Sequence, residues 1–145
     1  MTQGDVRGWI GYLVKQVAQT FRRSCEERLR ELGLSMSQYA VLRALVDAPG
    51  APAAELARRT FVTRQSLRDV LGGLQRAGLV TVATEPTARR ALPVTLTDTG
   101  RSLLGQADAI VLDTEQRMIA DVPPDEVRRL AELLTTCARN LDGQA

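Results

Sequence analysis

The stretch from Ala53 to Gly100 constrains the fold more than any other part of the chain. It opens with a short helical run, AELARRT, then a tight turn, then a second run, TRQSLRDVLGGLQRAG. Thr63 is a good N-cap for the second helix, because its hydroxyl accepts from an amide that has no partner within the helix. Leu67, Val70, Leu71, Leu74 and Ala77 recur at helical steps and form its buried stripe, which leaves Arg64, Gln65, Arg68, Asp69, Gly72 and Arg76 facing outward. Two β-rich runs follow, LVTVAT and ALPVTLT, joined by the arginine-bearing tip EPTARR. A helix, a turn, a helix with outward arginines and a basic hairpin have the dimensions to grip duplex DNA. The second helix fits the major groove, and the hairpin can reach an adjacent minor groove.

Charge is distributed accordingly. Net charge is only +2 for the whole chain. Between Ala53 and Thr97, however, Arg58, Arg59, Arg64, Arg68, Arg76, Arg89 and Arg90 face only Glu55, Asp69 and Glu85, so this segment carries +4 and the remainder −2. A basic module within a neutral scaffold suits a phosphate-facing role.

The rest of the chain reads as helix. Val6 to Leu32 is predicted as one long helix, with Val6, Trp9, Ile10, Leu13, Val14, Val17, Phe21, Cys25, Leu29 and Leu32 at three- and four-residue steps and Gly33 as its stop. A second helix starts at Ser35, where Ser35 and Gln38 have capping-box spacing. Its predicted apolar face is Tyr39, Val41, Leu42, Leu45 and Val46, and Pro49-Gly50 ends it. Thr97 caps a fifth helix with Leu103, Leu104, Ala107, Ile110, Val111 and Met118. Pro123-Pro124 breaks the chain and starts a sixth, with acidic Asp125 and Glu126 in its first turn and Val127, Leu130, Leu133, Leu134, Cys137 and Leu141 along one side. Gly72-Gly73 is unusual, since each interior glycine costs a helix about 1 kcal/mol relative to alanine. The pair implies either a closely approaching backbone or a bend.

The first, fifth and sixth helices carry longer apolar stripes than a unit of about 60 residues can cover. Burial against the same helices of a second copy is predicted. That gives a two-fold dimer with its reading helices about one DNA turn apart on a pseudo-palindrome. At 145 residues and 44% hydrophobic composition the chain fits one such unit. The sequence holds no histidine, no metal-ligand spacing and no phosphate-binding glycine loop, which argues against zinc sites, His-based catalysis and nuclease or transferase activity. Cys25 and Cys137 read as small buried hydrophobes, with a redox-sensing Cys25 flanked by Arg22, Arg23 and Arg28 as the sharper alternative. No apolar run is long enough for a membrane span or signal peptide, so the expected address is the cytoplasm.

These features together resemble the MarR family of winged-helix transcription regulators. LSMSQYAVLRAL is similar to the family's second helix, AELARRTFVTRQSLRDVLGGLQRAGLV to its helix-turn-helix, and TEPTARRALPVTLTDTG to its wing and the LTxxG that opens the next helix. The likeness covers nearly the whole chain by layout and is sharpest from Leu34 to Gly100. It implies a mainly α fold with a small β-hairpin wing: a winged helix-turn-helix over residues 35–100, flanked by dimerisation helices over 6–32 and 98–142, within a single domain of residues 1–145. It implies a homodimer bound to double-stranded DNA, with a recognition helix over 64–77 and a wing over 85–91. Gln65 and Arg68 map to base-edge contacts, Thr63, Arg64 and Ser66 to phosphate or base contacts, and Arg89 and Arg90 to the wing. The family's cleft for small aromatic anions maps to Arg22 and Tyr39, with Trp9 and Tyr12 nearby, although Tyr39 also reads as a core residue. Neither a metal nor another cofactor is implied. Two positions depart from the family pattern: Ala88 stands where the wing has aspartate, and Val82 where arginine is common. With Gly72-Gly73 they leave an alternative, a dimeric helical interaction protein of the same fold whose DNA binding is weak or lost.

Overall fold

A computed structural model describes residues 5–83 and 94–142. Six helices and one antiparallel strand pair follow in the order α1 (Ile10–Leu29), α2 (Met36–Asp47), α3 (Ala53–Thr60), α4 (Arg64–Arg76), β1 (Val80–Val82), β2 (Val94–Leu96), α5 (Asp98–Met118) and α6 (Pro124–Asp142). The expected wing tip over 85–91, with Ala88, Arg89 and Arg90, lies outside the described residues.

The predicted single helix from Val6 to Leu32 is three pieces. Asp5 accepts from the Arg7 amide at 3.0 Å and starts a one-turn 3₁₀ segment, Val6–Gly8, after which Trp9 is extended and α1 begins. At the other end the helix tightens into a 3₁₀ turn, Arg30–Leu32, and Gly33 takes the left-handed conformation at φ +75°. The Leu34 amide then bonds back to the Leu29 carbonyl at 3.1 Å.

The capping box on α2 is complete. The Gln38 amide donates to Ser35 Oγ at 3.0 Å and the Ser35 amide to Gln38 Oε1 at 2.9 Å. Val41, Leu42, Ala44 and Leu45 are the buried positions of α2, whereas Val46, predicted inward, is exposed. The core gathers Cys25 and Leu29 of α1, Val41 and Leu42 of α2, Leu56 of α3, Leu67 and Leu74 of α4, Val80 of β1, and Leu104 and Ala107 of α5. Ala77 lies outside this core: it is the C-cap of α4, one residue beyond the helix, and is exposed.

Among the described residues, no backbone from another element approaches Gly72-Gly73 closely. The helix continues through both residues, and the nearest atoms to a built Cβ belong to the Arg76 and Gln38 side chains. The close approach is at Gly100 instead, where a Cβ would lie 2.1 Å from the Leu79 carbonyl oxygen. Thr97 fixes that junction. Its hydroxyl donates to the Gly78 carbonyl at 2.8 Å and accepts from the Gly100 amide at 3.0 Å, and its amide bonds Leu79 O at 3.0 Å. The start of α5 is thereby seated on the end of the helix-turn-helix, beside the β1–β2 pair (Val80↔Leu96, Thr81↔Thr95, Val82↔Val94).

In contrast, α6 buries no residue within its own chain. Leu130, Leu133, Leu134 and Cys137 are all exposed, as are Trp9, Ile10, Leu13, Val14 and Val17 at the start of α1. Of the two cysteines only Cys25 is buried, against Thr114 of α5.

Candidate nucleic-acid interface

The turn between α3 and α4 positions α4. Leu56 and Ala57 anchor α3 and Leu67 and Leu74 anchor α4, so the outer face of α4 is fixed by burial of the inner one. Thr63 is the N-cap. Its Oγ1 accepts from the Ser66 amide at 3.0 Å, and its hydroxyl donates to Ser66 Oγ at 3.1 Å. The two hydroxyls thus hold each other at the helix start, which sits Ser66 beside the exposed Arg64 and Gln65.

Electrostatics at this end are one-sided. The first turn of α4 contains no acidic residue and carries Arg64 at its first position. A cation at the positive end of the helix dipole is locally unfavourable, and an arriving phosphate reverses that. Arg64 and Arg68 are exposed and have no acidic partner among the described residues. Gln65 makes one long bond, Nε2 to Asp69 Oδ1 at 3.4 Å. On α3 the two arginines differ: Arg59 is held by Glu55 at 3.1 Å, while Arg58 is exposed without such a partner among the described residues. Thirteen residues give α4 a length of about 20 Å, enough to lie along a major groove.

The two residues mapped to an effector cleft face different neighbours. Arg22 on α1 reaches Ser37 Oγ at 3.4 Å and Glu26 at 3.4 Å. Tyr39 on α2 instead donates its hydroxyl to Asp108 Oδ1 of α5 at 2.8 Å. Arg43 of α2 bonds the other oxygen of Asp108 at 2.7 Å and Asp47 at 2.8 Å. Burial pushes the Tyr39 phenol well above its ordinary pKa, and the Asp108 carboxylate adds to the shift, so Tyr39 stays a neutral donor. This Tyr39–Asp108–Arg43 junction ties the reading unit to α5. Sequence reasoning missed Arg43 and Asp108. The usable signals were the i,i+4 spacing of Arg43 and Asp47 and a carboxylate beside the apolar stripe of α5. A separate groove of about 420 Å³ opens between α1 and α5, lined by Val17, Phe21 and Met118 with Gln16, Thr20 and Arg117.

A model described as "MarR family" matches residues 32–91, which spans α2 to the wing region. The HTH-type transcriptional repressor Rv2887 of Mycobacterium tuberculosis is 35% identical over 125 residues, covering 86% of this chain and 90% of that protein. The crystal structure of the M. tuberculosis MarR family protein Rv2887 in complex with DNA aligns with a TM-score of 0.71 at 34% identity, covering 88% of this chain and 96% of the other. Its complex with p-aminosalicylic acid aligns with a TM-score of 0.73 at 34% identity, covering 89% and 98% respectively.

Proposed function

Since this chain belongs to the MarR family of transcriptional regulators, we propose that it acts as a homodimer that holds a pseudo-palindromic site in duplex DNA and releases it when a small aromatic acid binds. It works in the cytoplasm as a regulator, not as an enzyme. The observation that carries this reading is the outer face of α4: exposed Arg64, Gln65 and Arg68 at a capped, acid-free helix N-terminus. In this reading residues 35–100 hold the DNA, and residues 6–32 with 98–142 make the dimer. Gln65 and Arg68 read base edges, Thr63, Arg64 and Ser66 meet phosphates or bases, and Arg89 and Arg90 of the wing enter the minor groove. The DNA complex of a relative at 34% identity supports this reading over the interaction protein without DNA binding.

For the acid, Arg22 offers a cation and the Tyr39 ring an aromatic wall. A second location is favoured by the groove between α1 and α5, where Arg117 and Phe21 supply the same pair of groups and, among the described residues, no lining hydroxyl is committed to a carboxylate. Calorimetric titration of salicylate into wild type, Arg22→Ala, Tyr39→Ala and Arg117→Ala separates the two. Linkage requires operator DNA to weaken salicylate binding by the factor by which salicylate weakens DNA binding. Selection of duplexes from a random pool by the purified protein tests the DNA reading itself. Enrichment of a pseudo-palindrome with half-sites about one helical turn apart is expected, and a pool without any enriched sequence would overturn it.

A further inference from the structure

Phe61 breaks two rules at once. It closes α3 in the left-handed region, at φ +58° and ψ +34°, where glycine is usual and a bulky side chain is a true outlier. Its side chain is also 95% exposed, so a ring large enough to anchor a core stands wholly in water. Among the large hydrophobic side chains described, only Leu141 near the end of α6 is comparably bare. The turn itself does not require the ring, since the closing bonds run through backbone: the Phe61 amide to Arg58 O at 3.3 Å and the Val62 amide to Ala57 O at 3.1 Å. Nor does Phe61 belong to α1, α5 or α6, which carry the uncovered apolar stripes.

Its position suggests what covers it. Phe61 stands two residues before Thr63, the N-cap of α4, and three before Arg64, with exposed Arg58 and Arg59 on the other side. The N-terminal end of a recognition helix is the part that meets base edges. In the major groove the apolar feature is the thymine 5-methyl group, for which a phenyl ring is a suitable partner. We propose that Phe61 is a specificity residue that packs its ring on a thymine methyl in each half-site. This rests on the DNA-binding reading above.

The test uses the duplex recovered by selection and a copy in which each half-site thymine is replaced by deoxyuridine, which lacks only the methyl. Wild type, Phe61→Gly, Phe61→Asn and Arg68→Ala are titrated against both by fluorescence anisotropy. Glycine and asparagine tolerate the left-handed turn, so both Phe61 variants should melt no lower than wild type. Each Phe61 variant should bind the thymine duplex about tenfold more weakly, and wild type should lose a similar factor on the uracil duplex. The Phe61 variants should lose little more on uracil, because the ring that sensed the methyl is gone. Wild-type affinity in both Phe61 variants, with Arg68→Ala weakened, would overturn this proposal alone. An equal Phe61 loss on both duplexes would also overturn it. If no variant or wild type binds any duplex specifically, the DNA reading itself fails.

Discussion

At the scale of single residues, three positions have separable roles. Gly100 is a contact glycine, because any Cβ there collides with the Leu79 carbonyl. Gly100→Ala should therefore lose about 3 kcal/mol or more of stability, as an overpacked junction does, measured by urea unfolding. Cys25 is fully buried, and burial pushes its thiol up, so its thiolate is scarce at neutral pH. It should resist iodoacetamide until the protein unfolds, and rapid alkylation in the native state would restore the redox alternative. Arg68 is exposed on the outer face of α4 and has no acidic partner among the described residues. Arg68→Ala should cost on the order of 1–3 kcal/mol on the selected site and relax discrimination at one base pair per half-site. Arg90→Ala should instead weaken all duplexes alike and reduce the slope of affinity against salt, both read from anisotropy titrations.

Elements were legible where their signals are local. Ser35 with Gln38, Thr63 with Ser66 and Thr97 with Gly100 announce helix starts through side chains within three residues of the break, and all three caps form. The family likeness supplied the LTxxG pattern, but the reason for its glycine became visible only once Leu79 was seen against it. The break at Trp9 was hidden because apolar periodicity runs straight through it, while the Asp5–Arg7 bonds that compete with the helix do not affect that pattern. Periodicity failed also at Val46 and Ala77, which have the right spacing but stand at or beyond a helix end. The junction between α2 and α5 was out of reach because Tyr39, Arg43 and Asp108 are far apart in sequence. Asp108→Asn should weaken it and cost about 1–2 kcal/mol, since the bonds it breaks are charge-assisted and partly buried. Gly73→Ala should do the opposite. A Cβ there meets only the Gln38 amide nitrogen at ordinary contact distance and the flexible end of Arg76, so thermal unfolding should show a gain of about 1 kcal/mol.

At the scale of the molecule, the decisive fact is that one chain leaves long apolar stripes uncovered. A whole helix, α6, and the first half of α1 expose their apolar stripes, while the core that exists gathers around α2, α3 and α4. Two copies that buried those stripes against each other, as proposed, would carry two α4 helices at a fixed separation. Sedimentation should find two chains at micromolar concentration, and Leu133→Glu should unfold the protein as it dissociates, because the folded monomer lacks the burial that holds α6. Whether the pair of helices reads DNA as one rigid unit is measured by inserting about five base pairs between the half-sites of the selected duplex, which turns one half-site to the opposite face of the helix. Two α4 helices fixed in one dimer can then engage only one half-site. Affinity is predicted to fall on the order of a hundredfold, toward that for random duplex. Unchanged affinity for the lengthened site would contradict a two-fold reader held together by its terminal helices.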